Sequence, residues 1–506
     1  MASAEGPTAT AHRLFVVTVL SCCLSLASAA SGAEVDSTNP DRNASAAPRD
    51  ENIVANFDNN VTGAASNTFA VHRSQSARRT QGAYAGDGTP SLSFDPDADF
   101  WPNEQVQVTL TTDLGLTAPH VWRFRAAAAI APANFTFGSR DFAVLNQHTR
   151  DLAFADMDDD GHLDLVTGAH LGRQSAVHRN DGNGDLTGGT TRFGESGDWS
   201  SAIDLGDIDG DGHLDVAVAN FGQQSAVYLN NGDGSMAAET RDFGSLRLPY
   251  QSHDNTFSVA FGDLDGDGHL DIVAGNGPQA PSIPDFYDKL YLNDGFGNFS
   301  EEGIDLYQEH DFTMAVAVGD LDGDNDLDVV VGNRSNQQNA ITFNDGAAGF
   351  GPRMPFGPSD DTHALALGDL DNDGNLDVVV GNQNDGQNLV YLNKGGNGDL
   401  DVAQVTWVGN PDDTKNVALG DVDGDGYLDL AVANFYQQSF VYLNNGWPNT
   451  NFGQGRPFGT VLDAWAVALG DVDNDGDLDI AQGNLTNQQA VFMNQNSLLV
   501  VYCERA

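Results

Sequence analysis

The chain has 506 residues, with 73 Asp and Glu against 22 Lys and Arg and a formal net charge of −51. That length is too great for one ordinary core and asks for several domains or a repeat array. The charge argues against nucleic acid and anionic membrane as partners and fits cation binding, while 40% hydrophobic content in regular short runs argues against a disordered acidic chain.

At the N-terminus, Arg13 precedes the apolar stretch LFVVTVLSCCLSLASA (14–29), which ends in small residues. This predicts a signal peptide over 1–29, cleaved near Ala29 or Ala30. The stretch is short for a membrane span. VLSC (19–22) is a poor lipoprotein box, so lipidation at Cys22 is the lesser alternative. Removal of Cys22 and Cys23 leaves only Cys503, so disulfides cannot staple the fold. No later segment approaches ~18 unbroken apolar residues, so no membrane insertion is expected after cleavage. The mature chain is expected to be secreted or held at the cell surface. Residues 30–48, rich in Ala, Ser, Asp and Pro, are expected to form a disordered linker. Over 49–127, the runs NIVANF, NTFAVHR, SLSFD, VQVTLTT and HVWRFRA alternate apolar and polar residues between turns, which predicts strands.

From residue 133 onward the chain repeats itself. The pattern D-x-D-x-D-G-x-x-D occurs seven times, starting at Asp156, Asp207, Asp263, Asp320, Asp369, Asp421 and Asp471, with spacings of 49 to 57 residues. Each copy follows an alternating run such as FTMAVAVG, and a second run such as LDVVVGN comes after it. A third run, such as VYLNNG, ends in an Asn-Gly or Asp-Gly hairpin signal. A weaker fourth strand completes the unit. Four antiparallel strands per unit, without helices, describe the blades of a β-propeller, and seven units match a closed ring over 133–506. Two segments compete to close it: ANFTFGSRD (133–141), which resembles the fourth strand MAAETRDFG (236–244), and SLLVVY (497–502).

Four aspartates within nine residues repel unless a cation holds them. The candidate ligands are Asp156, Asp158, Asp160 and Asp164 in the first copy, then Asp207, Asp209, Asp211 and Asp215, then Asp263, Asp265, Asp267 and Asp271. The fourth and fifth copies offer Asp320, Asp322, Asp324 and Asp328, and Asp369, Asp371, Asp373 and Asp377. The last two offer Asp421, Asp423, Asp425 and Asp429, and Asp471, Asp473, Asp475 and Asp479. The seventh position adds a main-chain carbonyl, from His162, His213, His269, Asp326, Asn375, Tyr427 or Asp477. Six to eight oxygen ligands suit Ca²⁺. Zn²⁺ lacks its soft or imidazole ligands, Mg²⁺ prefers to keep its waters, and an EF-hand needs flanking helices and a Glu at position twelve. About seven Ca²⁺ are therefore expected, which would move the net charge from −51 to about −37. The histidines at position seven form no cluster and are expected to face solvent. Position six is Gly in six copies and Asn325 in the fourth, which predicts a left-handed backbone there.

The frame VAxGDLDGDGxLDxVVGN…VYLNNG resembles the FG-GAP/VCBS repeat family, best known from the seven-bladed propellers of integrin α subunits. The resemblance covers roughly 133–496. It implies that these aspartates bind Ca²⁺ on the lower face, while the upper face carries ligand contacts. Integrin leg domains, transmembrane helix and partner-subunit features are missing, so integrin signalling is not implied. PDADFWPNEQVQVTLT resembles the bacterial Ig-like domains that often precede such repeats, which implies a β-sandwich over 49–127. The whole is thus expected to be all-β.

No HExxH, GxSxG or Cys/His pair is present. The loops between second and third strands are rich in amides and rings, with Phe221, Gln223, Gln224, Phe286, Tyr287, Phe435, Tyr436, Gln437 and Gln438 as candidate ligand contacts. Amides pair with hydroxyls and rings stack on sugars, although such amides can equally satisfy turn backbones. The favoured reading is an adhesion or recognition module for an extracellular protein or glycan. The alternative is a secreted carbohydrate-active enzyme, which a cluster of charged residues at the upper mouth would favour.

Overall fold

The computed structural model describes residues 33–49, 52–65, 68–75, 82–97, 99–128, 139–142, 148–244, 255–278, 287–300, 303–398, 400, 406–446, 452–459, 461, 463–486 and 489–494. The expected signal peptide lies outside them. Among the described residues no helix is long and apolar enough to cross a membrane.

The described structure is all-β apart from one 3₁₀ turn, Thr112–Leu114. Seven strands open the chain: β1 (Val35–Asn39), β2 (Ile53–Val61), β3 (Phe69–Arg73), β4 (Gly82–Ala85), β5 (Thr89–Pro96), β6 (Gln105–Leu110) and β7 (His120–Arg125). They form two sheets, β1-β2-β5-β4 and β3-β6-β7. The alternation of β2, β5 and β7 puts Ile53, Phe94, Trp122 and Phe124 into one core between the sheets. One ion pair is buried beside it: Arg73 Nη2 lies 2.6 Å from Glu104, whose carboxylate also accepts the N–H groups of Trp101 and Gln75. A buried charge pair persists when its remaining acceptors are satisfied in this way.

The expected linker over 30–48 is overturned. β1 pairs with β2, and the N–H groups of Asn43 and Ala47 bond the carbonyls of Arg123 and Arg125 on β7. VDSTN lacks bulky apolar residues because this edge strand is held by its main chain, and composition does not register such pairing.

Next in the chain are β8 (Ser139–Phe142), β9 (Thr149–Ala155), β10 (Asp164–Ala169), β11 (Ser175–His178) and β12 (Thr190–Phe193). β9 to β12 form the first of seven four-stranded antiparallel sheets; six more begin with Ser200–Gly206, Thr256–Gly262, Thr313–Gly319, Thr362–Gly368, Thr414–Gly420 and Ala464–Gly470. Each of these first strands packs on the next, and the last packs on β9, so the sheets close a ring. β8 supplies the fourth strand of the seventh sheet by pairing with Gln489–Phe492. Of the two closing segments considered, the N-terminal one therefore does the work; 133–138 and 497–502 lie outside the described residues.

The second strands are buried along their whole length, as in Asp328–Asn333 and Asp377–Asn382. Neighbouring sheets share one core across the gap: Leu205, Val216 and Val218 of sheet two join Ala155, Val166 and Val177 of sheet one. Sheet seven meets sheet one in the same way, through Ala481 and Val491 against Phe154 and Leu165. The Gly that ends six of the seven first strands, with Ala155 in the remaining one, allows this approach. A Cβ at Gly319 would lie 2.5 Å from Leu376 of the next sheet, and at Gly368 2.6 Å from Leu428.

The sandwich sits on the ring end that carries the acidic loops. Arg42 Nη1 lies 2.7 Å from Asp320 Oδ2, the Thr109 hydroxyl donates to Asp263 Oδ2 at 2.8 Å, and Val121 N–H donates to the Asn325 carbonyl at 3.0 Å. Ser45 Oγ reaches Asn372 at 2.6 Å. Between the sandwich and the inner strands lies a cavity of 440 Å³. Among the described residues the opposite end of the ring makes none of these contacts.

Candidate metal centre and the opposite mouth

Each acidic loop joins a first strand to a second, and its aspartates hold its own backbone. The first-position carboxylate accepts the N–H of position six in all seven loops, at 2.8 to 3.1 Å. Position six is left-handed throughout, with φ of 73° at Asn325 and 87° to 94° at the glycines, as expected. Position four is left-handed too, with Asp159, Gly210, Gly266, Gly323, Asn372, Gly424 and Asn474 at φ of 55° to 85°. The restriction of that position to Gly, Asn and Asp was the available sequence signal.

Carboxylate oxygens converge within 4.8 Å in each described loop for which the group is resolved by residue. In the first loop these are Asp156, Asp158 and Asp160; in the second to fifth they are positions one, three and nine, such as Asp207, Asp209 and Asp215. The fifth-position carboxylates of loops two to five are not in those groups. Position five accepts the N–H of position seven in every loop, at 2.9 to 3.0 Å.

The residues fit a cation. Asp158 Oδ1, Asp423 Oδ1 and Asp471 Oδ1 are buried and accept no hydrogen bond. Burial pushes the carboxyls of Asp164, Asp215, Asp328, Asp377 and Asp429 up to about 8, with neighbouring aspartates adding to the rise. Asp271 and Asp479 are held well above the carboxylate range for the same reasons. Buried, mutually repelling carboxylates with spare lone pairs are what a hard divalent cation neutralises. Three loops are already partly paired: Asp371 with Lys394, Asp320 with Arg42, and Asp158 with Arg179.

The seventh-position histidines do not face solvent as expected. His162, His213 and His269 are half-buried and lie over Gly182, Gly232 and Gly295 of their own sheet's third hairpin. Asp326, Asn375 and Tyr427 lie over Gly346, Gly396 and Gly446 in the same way, and a Cβ at any of the six glycines would come within 2.3 to 2.6 Å. The tight Asn-x-Gly turn draws the side chain down onto it. His213 Nδ1 also reaches Asp159 of the preceding loop, at 2.8 Å.

The asparagine of that turn is a residue whose role sequence reasoning missed. The ninth-position aspartate accepts two N–H groups, from position two at 2.9 to 3.2 Å and from this asparagine at 2.7 to 3.1 Å. The asparagine Nδ2 then donates to the position-two carbonyl of the preceding sheet. Asn230 reaches Met157, Asn293 reaches Ile208 and Asn344 reaches Leu264, at 2.8 to 2.9 Å. Asn393 reaches Leu321, Asn444 reaches Leu370 and Asn494 reaches Val422, at 2.7 to 3.0 Å. Asn180 reaches Val472 at 2.7 Å and closes the circuit. Each acidic loop is thereby clasped by the next sheet in the ring. The same Asn in every third hairpin was visible, but a turn signal explained it without requiring a partner.

At the opposite end, the expected ligand residues divide. Tyr436 is 65% exposed, and Phe435 packs on it and on Trp465. Phe221 stacks on Trp199 at 6.0 Å, and Tyr287 on His310 at 4.8 Å. Phe286 lies outside the described residues. The glutamines are spent internally: Gln224 and Gln438 bond the backbone at Phe243 and Phe458, Gln223 bonds Trp199 and Gly197, and Gln437 bonds Asp413. Charged residues do gather here, with Arg150, Lys415, His363 and Asp151 around one small cavity.

A bacterial Ig-like domain model matches residues 30–126, and includes β1. No curated protein matches the chain. Among solved structures, BBS1N in complex with ARL6DN, soaked with mercury, shares 14% identity over 73% of this chain and 98% of that one, with a TM-score of 0.48. Sqt1 of Saccharomyces cerevisiae shares 12% over 67% and 82%, with a TM-score of 0.42. The FG-GAP-like repeat model matches six times, over 156–218, 207–274, 282–331, 320–380, 369–432 and 421–481. Those matches span more than half of the sequence and coincide with the acidic loops and the strands they join: the chain belongs to the FG-GAP-like repeat family.

Proposed function

We propose that the protein is a secreted or surface-held recognition module, a seven-bladed propeller whose acidic loops bind about seven Ca²⁺ and whose opposite end engages an extracellular glycan or protein. The observation that carries this reading is the placement of the sandwich. It covers the acidic-loop end, bonding Asp263, Asp320 and the Asn325 carbonyl, and among the described residues it makes no such bonds at the aromatic end. Metal loops then serve the fold, and contacts fall to the far end.

A carbohydrate-active enzyme remains the second reading, favoured by the charged residues at the mouth. It is weakened by how those groups are spent. Asp151 accepts the N–H groups of Ile203 and Leu152, and the Lys415 ammonium is tied to Asp413 and Gln383.

The test is a glycan and extracellular-protein binding screen of the calcium-loaded full chain, repeated with Tyr436→Ala. Binding lost in the variant at an unchanged melting temperature supports the reading. Binding retained in full, or turnover of a bound glycan, overturns it.

A further inference from the structure

The first strands are most alike at their first, fifth and last residues and least alike at their second. Their first residue is Thr in five of seven sheets and their fifth is Ala in six, but their second residue never recurs. These second residues sit together at the mouth. Arg150, His363, Lys415 and Trp465 come from the contiguous sheets one, five, six and seven, and line a cavity of 100 Å³. Ser201, Phe257 and Met314 complete the circle from sheets two, three and four.

On the basic side of this circle Lys415 is paired with Asp413, but the arginines bond no carboxylate. The Arg150 guanidinium lies 4.5 Å over the Trp465 ring, and Lys415 Nζ lies 5.1 Å from the same ring. Arg334, from the loop after the second strand of sheet four, lies 4.8 Å over Phe312. Among the described residues neither Arg150 nor Arg334 makes a side-chain hydrogen bond or ion pair, and the Nε of each is buried without an acceptor. In a chain with 73 acidic and 22 basic residues, two arginines at one mouth with no bonded carboxylate stand out. Nearby acids are bonded elsewhere: Asp413 to Lys415, Asp151 to two backbone N–H groups, and Asp361, which feels the charge of Arg334, to Asn384 and the Ser335 N–H.

The groups around them suit a sugar. His363 Nδ1 lies 2.8 Å from the Lys415 carbonyl, so it carries the proton. Burial and the charges of Lys415 and Arg150 hold the ring well below the usual imidazole range, which leaves Nε2 as an acceptor for a hydroxyl. A belt of rings continues the mouth outward: Phe312 on Phe257 at 5.2 Å, Phe257 on Phe221 at 5.4 Å, and Phe221 on the 41% exposed Trp199.

We propose that this mouth binds an acidic sugar, with a uronate carboxylate taken by Arg150 in the field of Lys415 and Arg334, and the sugar rings lying on the aromatic belt. The planar guanidinium fork matches a carboxylate bidentately, and an oxyanion supplies the acceptors that both arginines lack. A sulfate ester on a sugar would offer related oxygens. The inference rests on the proposed recognition role of this end of the ring.

The experiment is calorimetry and tryptophan fluorescence on the calcium-loaded full chain, titrated with trigalacturonate, with neutral galactotriose and with a sulfated galactose trisaccharide. Trigalacturonate is expected to bind at least about tenfold more tightly than either comparator, since a charge-assisted bond is worth that much in a partly desolvated site. Arg150→Gln and Arg334→Gln are each expected to weaken it by about tenfold with unchanged melts. Arg334 stands on a loop, so its variant decides the matter if Arg150→Gln does not fold. No binding of trigalacturonate, equal binding of galactotriose, or unaltered affinity in Arg334→Gln overturns the inference. Preference for the sulfated sugar overturns the carboxylate assignment. If trigalacturonate fails while Tyr436→Ala still abolishes another interaction, the acidic-sugar inference falls and the recognition role stands.

Discussion

The acidic loops and the mouth opposite them lie at the two ends of the same first strands, and they vary in opposite senses. At the loop end, seven copies keep aspartate at positions one, three, five and nine, and the bonds they make agree within a few tenths of an ångström. At the mouth, seven equivalent positions hold seven different residues. A residue that recurs in every sheet solves a problem every sheet has: joining two strands and clasping a neighbour. A position that never recurs answers to something the ring meets once, on its axis. The difference separates the part that holds the fold from the part that can recognise.

The largest expected effect tests the loop end as a whole. A cation bound only to the folded chain stabilises it by ~2.7 kcal/mol per site at a hundredfold excess over its dissociation constant. Thermal melts in EDTA and in millimolar Ca²⁺ should therefore lie far apart, and elemental analysis of the calcium-loaded chain should return about seven ions. Coincident melts would leave the repeated aspartates without their cation and erase the contrast between the ends.

A single clasp should come next. Asn444→Ala removes both Nδ2 bonds, to Leu370 of the preceding sheet and to Leu428 of its own. Stranding buried carbonyls costs about 1 to 3 kcal/mol. Tyr436→Ala, exposed at the other end, should move stability by no more than about 0.5 kcal/mol. Denaturant melts of the two variants in Ca²⁺ compare the ends directly, and equal losses would contradict the division.

Much of this was legible beforehand because the repeat states it seven times. The strand order, the acidic loops and the left-handed sixth position follow from alternation, Asn-Gly turns and the Gly or Asn at that place. What escaped depends on contacts between units. Asn180 and its equivalents already had a local explanation as turn residues, and nothing in one unit's sequence shows that the amide crosses to the neighbouring sheet. β1 escaped because polar edge strands are held by main-chain bonds. The mouth was misjudged in part: Gln224 and Gln438 look like ligand contacts but bond the fourth strand of their own sheet, whereas Arg150 and Lys415 sit inside unremarkable strand runs. Only the ring brings residues from sheets five, six, seven and one together.

Between the two ends, the inner wall offers a smaller effect that depends on pH. Asp151 stands where four of the other sheets have Ala, and burial raises its carboxyl to about 7 while the Ile203 and Leu152 N–H groups pull it down. A folded-state value above the unfolded one means the folded chain binds the proton more tightly. This group's stabilisation is then complete below about pH 4 and is lost as pH rises through about 7. Asp151→Asn has no such loss. At saturating Ca²⁺ the melting difference between variant and native chain should move in the variant's favour from pH 5 to pH 8. A flat difference would remove Asp151 from the set of strained charges at the mouth.

The smallest expected effect lies within the loop end, where one copy departs from the rest. Loop four carries Asn325 at φ 73° in place of Gly, and Arg42 of the sandwich occupies Asp320 Oδ2 at 2.7 Å. Both features act against the cation, by different routes. The left-handed backbone costs Asn more than Gly, so Asn325→Gly should tighten this site by less than about 1 kcal/mol. Arg42 competes electrostatically for the first-position carboxylate, so Arg42→Gln should also tighten the site, and more so at low salt, where the partly exposed guanidinium is least screened. Crystals equilibrated at limiting Ca²⁺ and read by anomalous scattering rank the loops by occupancy. In the native chain the fourth should fill last, and each variant should move it forward. If it fills first, neither the backbone nor the arginine sets the order, and the seven loops differ for a reason that lies outside their own residues.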